Sequence, residues 1–125
     1  MGLYYVILDK VIVSNCAEGK SMEPTLSTRS VVFVDKFFYR YRGIKKHDII
    51  IAKSPVKADL DICKRVLKLE NEEEINSGII IPEEYVWIEG DNKNHSFDSR
   101  DHGPLPIDYI KGRVIFSLFP FRFYW

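Results

Sequence analysis

Apolar residues along this chain come in short, β-branched blocks separated by polar turns. Val31-Val-Phe-Val34, Ile49-Ile-Ile-Ala52, Ile62 to Leu69, Ile79-Ile-Ile81, Val86-Trp-Ile88 and Val114-Ile-Phe116 have the length and branching of strands. Ser54-Pro55, Asn76-Ser-Gly78 and Gly103-Pro-Leu-Pro106 punctuate them as turns. No stretch of about ten or more residues carries a capped helical stripe. The pattern predicts a mainly β chain, built as a small, partly closed barrel or a folded sheet.

Near the N-terminus, Leu3-Tyr-Tyr-Val-Ile-Leu8 is followed by Asp9-Lys10 and then Val11-Ile-Val13. A bilayer-spanning helix needs about 20 apolar residues. The segment therefore predicts either a first strand or the last turns of a membrane anchor, and no cleavable signal sequence is evident.

Composition narrows the picture modestly. A chain of 125 residues that is 46% apolar suits one domain covering residues 1–125. Lysine plus arginine equals aspartate plus glutamate at 18 each, so no net field draws in polyanions and a nucleic-acid partner is disfavoured. Phe37-Phe-Tyr-Arg-Tyr-Arg42 interleaves aromatics with arginine, yet without a wider basic surface it predicts a loop touching core or membrane. Glu70-Asn-Glu-Glu-Glu74 predicts a solvated loop between strands. Cys16, Cys63 and three scattered histidines lack metal-ligand spacing, so neither metal nor cofactor is expected. Buried or free thiols are the simplest reading of the cysteines, and a disulfide between them stays open in an oxidising compartment.

Three segments carry candidate chemistry. In Glu18-Gly-Lys-Ser-Met-Glu-Pro-Thr-Leu26, the proline restricts the residue before it and presents Ser21 on a stiff turn. A serine hydroxyl is a poor nucleophile without a base within reach and a group to hold that base. In the strand Ile62 to Leu69, alternation puts Lys64 on the face of Ile62 and Val66, while Arg65 points the other way with Cys63 and Leu67. A lysine desolvated among apolar neighbours can take a proton from a hydroxyl, which an arginine cannot. The third segment, Gly90 to Arg100, is dense in side chains able to orient one another. Asp98 and Arg100 can brace it as a charge-assisted pair, leaving Ser96 to hydrogen-bond the lysine amine. Its ligand order does not fit an EF-hand calcium loop.

Taken in order, Ser21-Met-Glu-Pro-Thr-Leu26, Lys64-Arg-Val66, Gly90-Asp-Asn92, Asp98-Ser-Arg100 and Gly103-Pro104 resemble the boxes of type I signal peptidases. Gly43-Ile-Lys-Lys-His-Asp48, Ile51-Ala-Lys-Ser-Pro55, Ile62-Cys-Lys-Arg-Val66 and Trp87-Ile-Glu-Gly-Asp-Asn92 are similar to the mitochondrial inner-membrane branch of that family. The resemblance implies folded antiparallel sheets with a minimal inserted β segment. It also implies a Ser-Lys endopeptidase that removes sorting presequences, at the mitochondrial inner membrane and facing the intermembrane space. Carried over by position, Ser21 is the nucleophile, Lys64 the general base, Ser96 the hydroxyl that orients the lysine, and Asp98 with Arg100 a structural pair. Membrane association and a heteromer with a second peptidase subunit follow from the same resemblance.

The chain departs from the family pattern in places. Gly19 stands two residues before Ser21, where bacterial relatives often have a hydroxyl, so the second donor to the oxyanion is unassigned. Leu67-Lys-Leu-Glu-Asn-Glu-Glu replaces the usual Gly-x-x-Gly-Asp after the lysine box, and His95 stands where asparagine is common. The family carries an N-terminal transmembrane helix and this sequence begins almost at its end; residues 1–16 are read as an anchor remnant, either of a longer chain or of a weaker attachment. The C-terminal Phe116-Ser-Leu-Phe-Pro-Phe-Arg-Phe-Tyr-Trp125 could bury rings at a membrane interface or pack as a last strand. Two other readings compete: a supporting subunit without activity, and a self-cleaving Ser-Lys repressor. The repressor needs a DNA-binding element and a cleavable linker ahead of the serine, and 20 residues do not hold them.

Overall fold

The computed structural model describes residues 5–8, 11–15 and 20–124, the first two segments by backbone alone. Eleven strands run through them: β1 Tyr5–Leu8, β2 Val11–Asn15, β3 Val31–Asp35, β4 Ile49–Lys53, β5 Asp61–Lys68, β6 Glu73–Glu74, β7 Ile79–Ile80, β8 Tyr85–Glu89, β9 Leu105–Pro106, β10 Ile110–Leu118 and β11 Arg122–Phe123. Two single-turn helices, α1 Tyr39–Arg42 and α2 Ser99–His102, interrupt them.

Nine strands form one antiparallel sheet in the order β1-β2-β3-β10-β4-β5-β8-β9, with β11 paired to β10 off this path. The two ends of that order do not pair, so the sheet is folded over without closing into a barrel. The bending sits at register shifts. β10 slips between Val114 and Phe116 against β3 and between Ile110 and Gly112 against β4, while β5 slips between Val66 and Lys68 against β8. Each extra residue adds local twist, which lets β10 serve both halves of the fold. Gly112 belongs at such a crossing, because a Cβ there would sit 2.7 Å from the Asp35 carbonyl oxygen. The hairpin of β6 and β7 stands apart as a two-stranded sheet and is the minimal inserted β segment.

Strand alternation sorts the apolar side chains into two clusters. Met22, Leu26, Val32, Val34, Ile49, Ile51, Cys63 and Val114 form one, which includes Met22, the residue after Ser21. Tyr39, Ile50, Ala52, Ile62, Val66, Val86, Ile88, Leu105 and Ile110 form the other, and Lys64 lies in register with Ile50 of this second set. Cys63 is buried; Cys16 and Gly19 lie outside the described residues, and the segment weighed as an anchor remnant is described only by the backbone of residues 5–8 and 11–15. Among the described residues no helix is long and apolar enough to cross a membrane.

Two expectations are corrected. The loop expected at Phe37–Arg42 contains the helical turn α1, because Asp35 Oδ1 accepts hydrogen bonds from Phe37 N and Phe38 N and starts the turn, while the Tyr39 hydroxyl donates to the Ile110 carbonyl at 3.0 Å. The acidic run 70–74 is more than a solvated loop. Glu72 accepts from Leu69 N and pairs with Lys46, and Glu73–Glu74 pairs with Ile79–Ile80 as strand. The C-terminal segment divides: β10 is a largely buried sheet strand, while Phe119, Phe121 and Phe123 are exposed, the last two gathered beside Phe116, which stacks on Phe33.

Candidate active site

Ser21 sits on a tight turn bridging to β3. Glu23 N donates to the Lys20 carbonyl and Leu26 N to the Met22 carbonyl, and Met22 and Leu26 are sunk in the core. With two anchors in the apolar interior the intervening turn has little freedom, and Ser21 itself is only 5% exposed.

Lys64 lies in the middle of β5 and is 1% exposed, an unusual place for a lysine. Its Nζ donates to Ser96 Oγ at 3.1 Å. Ser96 Oγ in turn donates to Asp98 Oδ2 at 2.6 Å and accepts from Gly90 N at 3.1 Å. A hydroxyl has one proton. Since that proton goes to the carboxylate, the oxygen faces Lys64 as an acceptor, and the orientation of the lysine head group follows.

Asp98 is fully buried and N-caps α2, with a capping box completed by Asp101. Arg100 grips it bidentately, Nε to Oδ1 at 2.9 Å and Nη2 to Oδ2 at 3.0 Å. Burial alone would raise its pKa. The Arg100 guanidinium, the Ser96 hydroxyl and the N–H groups of Gly90 and Arg100 outweigh burial and hold it down to about 2. Asp98 is therefore an anion throughout the physiological range, and its acceptor role toward Ser96 is fixed.

The same loop holds the serine turn. Asn92 N donates to the Ser21 carbonyl at 2.8 Å. Gly90 fits between the two serines: a Cβ there would lie 2.5 Å from the Ser21 carbonyl oxygen and closer still to Ser96 Oγ. Asp91 completes the junction. Its carboxylate takes the Arg65 guanidinium in a fork at 2.8 and 2.9 Å and also accepts from the Thr25 hydroxyl. Burial pushes the Asp91 pKa up, but Arg65 and Thr25 prevail and lower it.

The five residues singled out from the sequence thus converge. Lys64, Ser96, Asp98 and Arg100 form one hydrogen-bonded chain, and Ser21 is tethered to the loop that carries it. Sequence reasoning had not paired Arg65 with Asp91 and Thr25. Alternation along β5 contained the signal, because it turns Arg65 away from Lys64, but the partner's distance of 26 positions did not. A cavity of about 810 Å³, lined by Tyr39, Ile44, Leu69, Val86, Ile107 and Ile110 among others, is bordered by none of these five residues.

Comparison with known proteins decides the family. The profile described as "Signal peptidase, peptidase S26" matches residues 1–73 and 67–119. The chain belongs to the S26 signal peptidase family. Mitochondrial inner membrane protease subunit 1 of Mus musculus is 40% identical over 111 residues, covering 82% of this chain and 67% of the relative. The Saccharomyces cerevisiae protein of the same name is 38% identical over 118 residues, covering 78% and 62%. Mitochondrial inner membrane protease subunit 2 of Danio rerio is 31% identical over 124 residues, covering 91% and 68%. The S26 chain thus spans about two thirds of the length of these relatives.

Proposed function

We propose that this S26 chain is a serine endopeptidase using a Ser21–Lys64 dyad. Its substrates are the sorting presequences of proteins delivered to the mitochondrial intermembrane space, cut at the inner membrane. The observation that carries the reading is the buried lysine whose amine is oriented by Ser96, itself oriented by an ionised Asp98. Protease activity and the inner-membrane location are further supported by relatives named as mitochondrial inner membrane protease subunits.

Lys64, as the neutral amine, accepts the Ser21 proton while Ser21 Oγ attacks the scissile carbonyl carbon. The Ser21 N–H is one donor to the resulting oxyanion. As the intermediate collapses the C–N bond breaks, and the Lys64 ammonium returns its proton to the departing amine. Water then attacks the acyl-serine with Lys64 again as base, releasing the carboxylate product and Ser21. Exposed Phe119, Phe121 and Phe123 suit contact with a bilayer interface, and a second peptidase subunit is the expected partner.

Cleavage of intermembrane-space precursors by wild-type, Ser21→Ala and Lys64→Arg proteins, followed by sequencing of new N-termini, tests the proposal. Loss in both variants with unchanged thermal transitions is expected. Processing that survives Lys64→Arg rules out the dyad, because arginine does not serve as a neutral base.

A further inference from the structure

The loop that carries Ser96 is gripped by a carboxylate outside the Ser21–Lys64–Ser96–Asp98 set. Glu89, the last residue of β8, is 8% exposed, and its side chain holds three groups. Oε2 accepts from the indole Nε1 of buried Trp87 at 2.7 Å, Oε1 accepts from Lys93 Nζ at 2.8 Å, and Arg100 Nε lies 3.7 Å from Oε1. Burying a carboxylate is costly without such partners. Glu89 precedes Gly90, whose N–H donates to both Ser96 Oγ and Asp98 Oδ2. Glu89 is thus joined to Gly90 through the chain and contacts Lys93 and Arg100 within the 90–100 segment, and Arg100 Nη2 ties the end of that segment back to the Lys93 carbonyl at 2.9 Å.

We propose that Glu89 is a positioning residue for peptide hydrolysis, a role that rests on the Ser21–Lys64 reading above. Anchored on β8 by the Trp87 indole, its carboxylate draws Lys93 and Arg100 together and fixes the loop where Asp98 and Ser96 meet Lys64. It touches no reacting atom. Its influence passes through Arg100 to Asp98, then Ser96, then the amine, and an error of an ångström along that path is paid in turnover, with binding little changed.

Glu89→Gln keeps the size and one acceptor oxygen while removing the charge that attracts both cations. With the full chain and an internally quenched presequence peptide, kcat is expected to fall roughly tenfold or more with KM within about twofold. Amide hydrogen exchange in residues 90–100 should rise while the core strands keep their protection. Glu89→Asp, which restores the charge on a shorter stem, should recover part of kcat. Unchanged kcat and unchanged exchange in Glu89→Gln would overturn the proposal. So would a fall in thermal stability with kcat intact, because that is a structural effect alone. If Glu89→Gln does not fold, Trp87→Phe decides: it removes the indole N–H that donates to Glu89 and leaves a smaller aromatic ring, and normal kcat would overturn the proposal. Ser21→Ala, assayed in parallel, separates the two ideas, because cleavage surviving there sinks the dyad while a normal Glu89→Gln sinks only the positioning role.

Discussion

Lys64 Nζ and Ser96 Oγ meet at 3.1 Å although 32 positions separate them in the chain. The serine proton is committed to Asp98 at 2.6 Å, so Ser96 presents only a lone pair to the amine. Ser96→Ala should therefore lower kcat by roughly 10- to 100-fold with KM little changed, because it removes an orienting group and leaves the base in place. Steady-state kinetics on a presequence peptide check this.

Gly90 leaves no room for a methyl group between Ser21 and Ser96. Gly90→Ala should abolish cleavage by prising the serine turn from the loop that bears Ser96. Circular dichroism should still report a β protein with a lowered thermal midpoint, while retained activity would show that the turn can shift without cost.

Asp98 gives the fold a defined acid sensitivity. Its folded pKa of about 2 lies below its ordinary carboxylate value, so the stability it adds is present above that ordinary value and is lost as pH falls toward 2. The contribution near neutrality is about 2 kcal/mol. Denaturant unfolding of wild type and Asp98→Asn should differ by about this amount at pH 7, and the gap should close between about pH 4 and pH 2.

Thr25 hangs from the Asp91 carboxylate that Arg65 holds. Thr25→Val, nearly isosteric, should cost about 1 kcal/mol of stability through the lost hydrogen bond. It should also reduce kcat, because the turn bearing Ser21 loses one of its two ties to the Gly90–Asn92 corner and keeps only that from Asn92 N to the Ser21 carbonyl. Equal kcat in Thr25→Val and wild type would confine that bond to the fold.

Much of the architecture was legible from local pattern. Blocks such as Val31–Val34 and Ile49–Ala52 became strands because β-branching and short length suit a pleated, half-buried surface. Phe37–Arg42 misled because its helical turn is begun by Asp35 and held by Tyr39 bonding across to Ile110, and neither contact belongs to the local string. The acidic run 70–74 misled likewise, since Lys46 and the facing Ile79–Ile80 decide its fate.

By itself the sequence determined that the chain is mainly β, that Ser21 lies on a stiff turn, and that Lys64 shares a strand face with Ile62 and Val66. Spacing along a strand dictates which way each side chain points, so these follow from the chain alone. Only the tertiary structure decided that Lys64 is wholly buried and that Ser96 hands its proton to Asp98. It also decided that Arg65 takes Asp91 and that Glu89 binds Trp87, Lys93 and Arg100. Hydrogen-bond partners are fixed by distance and angle in space, and those depend on how β5, β8 and the 90–100 loop are brought together by the bends of the sheet.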